Sequence, residues 1–176
     1  MGKYPGGTVV RVTPTLSEDA YAIGDVLFLA TKIPGAVSNR GGVSYLQGMY
    51  ILDSSDQSSG DNDIRFIFQE KEGTVVALSG LNEAADISSE NLVANKVLGT
   101  ALHIADSATT SSRIVNSRIH QVFPASGANE SSTPNLMLKA DGGSTDVYVW
   151  ALLEGNTTPQ YADDSLELIF HIKYLD

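Results

Sequence analysis

The stretch Val147-Tyr148-Val149-Trp150-Ala151-Leu152 decides the fold. Tyr148 and Trp150 fall on one parity and Val147, Val149 and Ala151 on the other, so an extended strand sends the two sets to opposite faces. One set must be core, and because Trp is usually mostly buried, the reading for Trp150 is a core or interface position. The turn-rich Glu154-Gly155-Asn156-Thr157-Thr158-Pro159 follows, and a second strand is expected over Leu166 to Tyr174.

The same period of two recurs toward the N-terminus. Thr8 to Thr13 alternates until Pro14 removes a backbone donor. Strands are expected at Ile23 to Ile33, ended by Pro34-Gly35, and at Val43 to Leu52. A further one is expected at Ile64 to Phe68, with Ile64, Phe66 and Phe68 opposite Arg65 and Ile67. Thr100 to Ile104, Arg113 to Phe123 and Leu136 to Lys139 complete the set. One segment has helical spacing, Ser88 to Val97, with Leu92, Val93 and Val97 on a stripe, Ser88 and Ser89 as caps and Gly99 as the stop. About nine strands must stack or close, and no repeat of 20 to 50 residues points to a solenoid or propeller. The expected fold is therefore all-β, a jelly-roll-like β-sandwich of about 8 to 9 strands with one short helix. Residues 1–20 form an arm and first strand, and 21–176 the rest of one sandwich domain.

Composition narrows the function classes. The 176 residues are 42% hydrophobic, too apolar for disorder and sufficient for one core. There is no Cys, which excludes disulfides, thiolate metal sites and a cysteine nucleophile. Eleven Lys and Arg against 21 Asp and Glu give a net charge of −10, which opposes binding to nucleic acid or anionic lipid. Val26 to Ala30 is far shorter than the roughly 18 residues of a membrane helix. With no basic region ahead of an apolar core, the chain is expected to be made in the cytoplasm and soluble. A protein partner is expected.

Searches for chemistry give little. His103, His120 and His171 fall in three different expected strands without metal-ligand spacing, and read as ordinary strand residues. GxSxG, GxxxxGK[ST] and GxGxxG do not occur, and Gly6-Gly7, Gly41-Gly42 and Gly142-Gly143 read as turns. The acidic loop with Asp53, Asp56, Asp61 and Asp63 lacks EF-hand spacing, so a solvated loop is favoured over a calcium site. Asp163-Asp164 reads as turn chemistry. No catalytic residue, cofactor or metal ligand is assigned. The aromatic residues Trp150, Tyr148 and Tyr161 carry the alternative function, a stacking platform for a sugar in a carbohydrate- or receptor-binding module.

Several segments in order resemble small virion proteins of tailed bacteriophages. Val10-Arg11-Val12-Thr13-Pro14-Thr15-Leu16 with Ala20-Tyr21-Ala22-Ile23-Gly24-Asp25-Val26-Leu27 is similar to the family's opening. Tyr45 to Asp53, Ile64 to Phe68, and Asp86-Ile87-Ser88 through Gly99 resemble its following elements. Trp150 to Tyr161, running on through Asp164-Ser165-Leu166-Glu167-Leu168, resembles its closing hairpin. The resemblance implies a capsid decoration or cement protein with a jelly-roll-like fold and no catalytic residues. The family's Gly24-Asp25 equivalent reads as a turn or bulge, with φ freedom at Gly24 and a local Asp side-chain hydrogen bond. The expected partner is the major capsid protein and the expected state a homotrimer on the outside of the head. Lys3, Tyr4, Trp150 and Tyr161 are the candidate contact residues. Met1 to Gly7 reads either as an extended anchor or as a disordered terminus.

Overall fold

The computed structural model describes residues 6–54, 63–73, 80–103, 119–124 by their backbone, 136–155 and 158–175. Over these residues nine strands and one helix follow one another: β1 (Gly7–Val12), β2 (Val26–Ile33), β3 (Val43–Asp53), β4 (Ile64–Gln69), α1 (Ser89–Ala94), β5 (Val97–His103), β6 (Ile119–Pro124), β7 (Leu136–Lys139), β8 (Val147–Leu153) and β9 (Leu166–Tyr174). All the strand pairs are antiparallel. One sheet runs β1-β9-β3-β6 and the other β2-β8-β4-β5. This interleaved order is that of a jelly roll, two Greek keys wound together. β7 adds to the first sheet beside β3, from Val43↔Lys139 to Leu46↔Leu136. β6 pairs β3 on one side and β5 on the other, so it joins the sheets along one long side of the sandwich. On the opposite side β1 and β2 are the outer strands and touch each other.

Alternation builds the core. Ile64, Phe66 and Phe68 of β4 point between the sheets, opposite Leu153, Ala151 and Val149 of β8, and all six are buried. From the other sheet Leu168, Phe170 and Ile172 meet them, and the rings of Phe68 and Phe170 pack edge to face at 6.1 Å. Each such fully buried side chain contributes about 1.5–3 kcal/mol.

The other parity of β4 and β8 is also buried. Ile67, Trp150 and Leu152 form a second, smaller cluster on the outside of the β2-β8-β4-β5 sheet, covered by Ala85 and Val97. Ala85 ahead of α1 and Val97 at the start of β5 thus cover part of that sheet's outer face, while α1 itself buries no residue. Ser88 caps α1 by accepting a hydrogen bond from the Asn91 amide at 3.2 Å.

Three local expectations change. Ile23 is exposed and precedes β2, because Gly24 at φ 86° and Asp25 make a turn: the Asp25 carboxylate accepts from the Ala22 amide at 2.6 Å. The turn at Gly24-Asp25 is as read from the sequence. α1 ends at Ala94, three residues early, with Val93 77% exposed instead of on an apolar stripe. Lys96, at φ 52°, reverses the chain, while Gly99 lies inside β5, where a Cβ would stand 2.6 Å from Leu136 Cδ1. Of the strand expected over Arg113 to Phe123, residues 113–118 lie outside the described residues.

Candidate functional site

The charged side chains are organised as structural ties. Glu70, just past β4, is 6% exposed and holds two lysines: Oε2 lies 3.0 Å from Lys96 Nζ and Oε1 lies 3.2 Å from Lys139 Nζ. Lys96 also reaches Asp141 Oδ1 at 2.9 Å. The end of β4, the turn after α1, the end of β7 and the turn before β8 are thereby joined by four side chains. Lys96 holds the Asp141 carboxyl below its usual range, the opposite of what a proton donor needs. The Lys96 ammonium is raised in return, by Asp141 first and Glu70 second.

Other pairs are similarly placed. Arg65 grips Glu154 through two hydrogen bonds, Nε to Oε1 and Nη2 to Oε2, the second at 2.8 Å. That contact raises the guanidinium further above its ordinary range. Arg11 of β1 meets Glu167 of β9 at 2.7 Å, and Lys32 meets Asp146 at 3.6 Å. Asp163 accepts from the amides of Leu16 and Asp164, with Asp164 at φ 60°, so Asp163-Asp164 is a turn as read from the sequence.

The histidines are separated. His103 is nearly buried at the end of β5 opposite Ile64, His120 lies in β6 opposite Ile51, and His171 is exposed on β9 with its ring 5.2 Å from that of Tyr50. Among the described residues no group of three or more His, Asp or Glu is arranged to hold a metal ion. Asp56 and Asp61 of the acidic loop lie outside the described residues.

Of the four candidate contact residues, Lys3 and Tyr4 also lie outside the described residues. Trp150 is 1% exposed and Tyr161 is 4% exposed. The indole Nε1–H donates to Gln69 Oε1 at 3.0 Å, and Tyr161 packs edge to face on Tyr21 at 6.0 Å. Burial bears out the core reading of Trp150 and corrects the contact role given to it and to Tyr161: these rings are core and present no face to a sugar or to a partner surface.

A different surface stands out, the outer face of the β1-β9-β3-β6 sheet. Val9 and Arg11 of β1, Glu167, Ile169, His171 and Lys173 of β9, and Tyr45 and Tyr50 of β3 share it by strand alternation. Val9 is 55% exposed and Met137, opposite Tyr45 on β7, is 50% exposed. Ile169 is shielded between Arg11 and Tyr50, its register neighbours. The face mixes apolar, aromatic and cationic groups, with Glu167 tied to Arg11. No part of the segment around α1 lies on it, in contrast to the partly covered outer face of the other sheet. The sequence signal for it is the β9 alternation itself, in which Leu168, Phe170 and Ile172 face the core and His171 and Lys173 face out.

No protein-family model matches the chain, and a search of curated proteins finds no relative. The likeness to phage virion proteins therefore stands on the quoted segments alone.

Proposed function

We propose that the chain is a non-enzymatic structural protein of a tailed-phage virion, a decoration or cement protein that binds the outside of the head and bridges neighbouring capsid subunits. The observation that carries the reading is the jelly-roll strand order combined with an outer sheet face that, among the described residues, stays exposed at Val9, Met137 and His171. A sheet face of several strands offers a broad contact, which suits bridging two subunits better than it suits a concave small-molecule site. Binding only to the assembled lattice stabilises it by mass action, and repeated copies, a trimer in the simplest case, multiply weak contacts. A net charge of −10 suits the outside of a DNA-filled particle, where the protein does not meet phosphates. The ion pairs support the same reading, because each ties strands or turns together.

Co-sedimentation with emptied heads of the phage that encodes the protein, together with light scattering for its oligomeric state, tests the proposal. Pelleting with heads and a raised temperature of head disruption are expected. A protein that stays monomeric and remains in the supernatant at every ratio to heads would overturn it.

A further inference from the structure

The two outer strands of the sandwich are treated differently by the chain. β2 is blocked at its start: Val26 donates to Glu83 O and accepts from the Asn82 amide, both at 2.9 Å, and Asp25 bridges Ala84. Its pairing with β8 is further broken by two register shifts, between Val26 and Phe28 and between Phe28 and Thr31. Such blocking and bulging keep an edge from recruiting another strand. Among the described residues β1 has neither protection. Its six residues, Gly-Thr-Val-Val-Arg-Val, pair with β9 without a register shift and contain no Pro.

The backbone parity of β1 is fixed by one bond, Tyr174 N–H to Gly6 O at 3.2 Å. Alternation in an antiparallel pair then directs the amides and carbonyls of Thr8, Val10 and Val12 to β9, and those of Gly7, Val9 and Arg11 to the free edge. We propose that this edge pairs with β1 of a second copy, antiparallel about a twofold axis through Val9. That register is self-complementary. Val9 lies against Val9 of the second copy, Thr8 against Val10, and Gly7 against Arg11, and the whole of Gly6 to Val12 is used. It places the exposed Val9 against an apolar partner and sets each arginine opposite a glycine, so that no two cations face each other. A shift by two residues would instead pair Val9 with Arg11 and leave Gly6 unmatched.

The contact is small. A six-residue strand spans about 20 Å and the sandwich is roughly one sheet spacing thick, so pairing buries on the order of 500 Å² in total, under the ~1,200 Å² of a stable interface. The pairing is therefore weak and concentration-dependent in solution, and gains strength where copies are held side by side. It goes beyond the decoration reading and stands without it. If that reading holds, the same contact links neighbouring copies on the particle.

Sedimentation equilibrium over a wide concentration range tests this, with the full chain and two variants. Val9→Pro removes an amide that faces the edge and leaves the β1–β9 bonds intact, so it keeps the fold while the association weakens about tenfold or more. Val9→Cys, in a chain without cysteine, should oxidise to a covalent dimer, because Cα atoms of a hydrogen-bonded antiparallel pair stand about 5.5 Å apart, within disulfide reach. Arg11→Cys, opposite Gly7 in the proposed register, should not cross-link at that rate. A stoichiometry that does not rise with concentration, association of Val9→Pro equal to that of the unmodified chain, or equal cross-linking of the two cysteine variants would each overturn the proposal. Failure of head binding with these results intact would sink the decoration reading alone.

Discussion

The Trp150 indole N–H donates to Gln69 Oε1 at 3.0 Å across adjacent strands β8 and β4, on the outer face of their sheet and out of reach of solvent. Gln69 in turn donates from Nε2 to the carbonyls of Lys71 at 2.7 Å and Glu72 at 3.1 Å. One buried amide therefore satisfies the indole and anchors the chain as it leaves β4. Trp150→Phe keeps most of the apolar contact with Ile67 and Leu152 but leaves Gln69 Oε1 unpaired, a loss of about 1–3 kcal/mol. Urea unfolding should show a lower midpoint with an unchanged slope, and a midpoint equal to that of the unmodified chain would refute the role of the bond.

The Glu70 tie should matter far more than the surface pairs. Its carboxylate is 7% exposed and lies between two lysines, so Glu70→Ala empties a desolvated pocket and takes the partner from Lys139, while Lys96 keeps Asp141. A loss of about 1–3 kcal/mol is expected for removing a buried carboxylate whose lysine partners are half exposed, against roughly 0–1 for Arg11→Ala, whose partner contact is solvated. Chemical denaturation of the two variants side by side provides the comparison, and similar losses would contradict the ranking.

Strand positions were legible wherever alternation was strong. Leu136–Lys139, Val147–Leu153 and Leu166–Tyr174 coincide with the expected strands, and Ile64, Phe66 and Phe68 face the core as their parity demanded. Trp150 was expected in a core or interface position, but the pattern could not say that its parity and that of Val147, Val149 and Ala151 would both be buried, because the cover over Ile67 and Trp150 comes from Ala85 and Val97. Nor could spacing find the tie among Glu70, Lys96, Lys139 and Asp141, four residues that only the folded sheets bring together. The helix stop was misplaced because the chain turns at Lys96, at φ 52°, a conformation that sequence assigns by habit to a glycine. The open sheet face reads in sequence like any solvated strand face. Only the contrast with the partly covered sheet singles it out.

Gly24 isolates a backbone effect. Its φ of 86° lies in the left-handed region, yet an added Cβ would meet no atom within 4 Å. Gly24→Ala therefore costs only the conformational penalty, about 1–2 kcal/mol, and Gly24→Asn less, because Asn tolerates that region. Asp25→Ala removes the hydrogen bond to the Ala22 amide instead, with a cost of about 0.5–2 kcal/mol by analogy with other carboxylate caps. Thermal unfolding of the three variants should give the order Ala below Asn at position 24, and the reverse order would show that contacts, not φ, set the preference.

The acid limb of stability should carry the mark of Asp141. Lys96 lowers its folded pKa below the ordinary 3.8, so the folded state binds its proton less readily than the unfolded chain does. The resulting stabilisation is fully present above the unfolded value and fades as pH falls through the folded one. Lys96 works in the opposite sense: its pKa is raised above 10.5, so its contribution is complete below that value and is lost only as pH climbs past the folded pKa. Asp141→Asn should therefore lower the urea midpoint by a constant amount across neutral pH, and the gap to the unmodified chain should close as pH drops below about 4. Because the pair is open to solvent, added salt should shrink the neutral-pH gap as well. A gap that persists unchanged into the acid range would mean that the aspartate acts through packing and not through its charge.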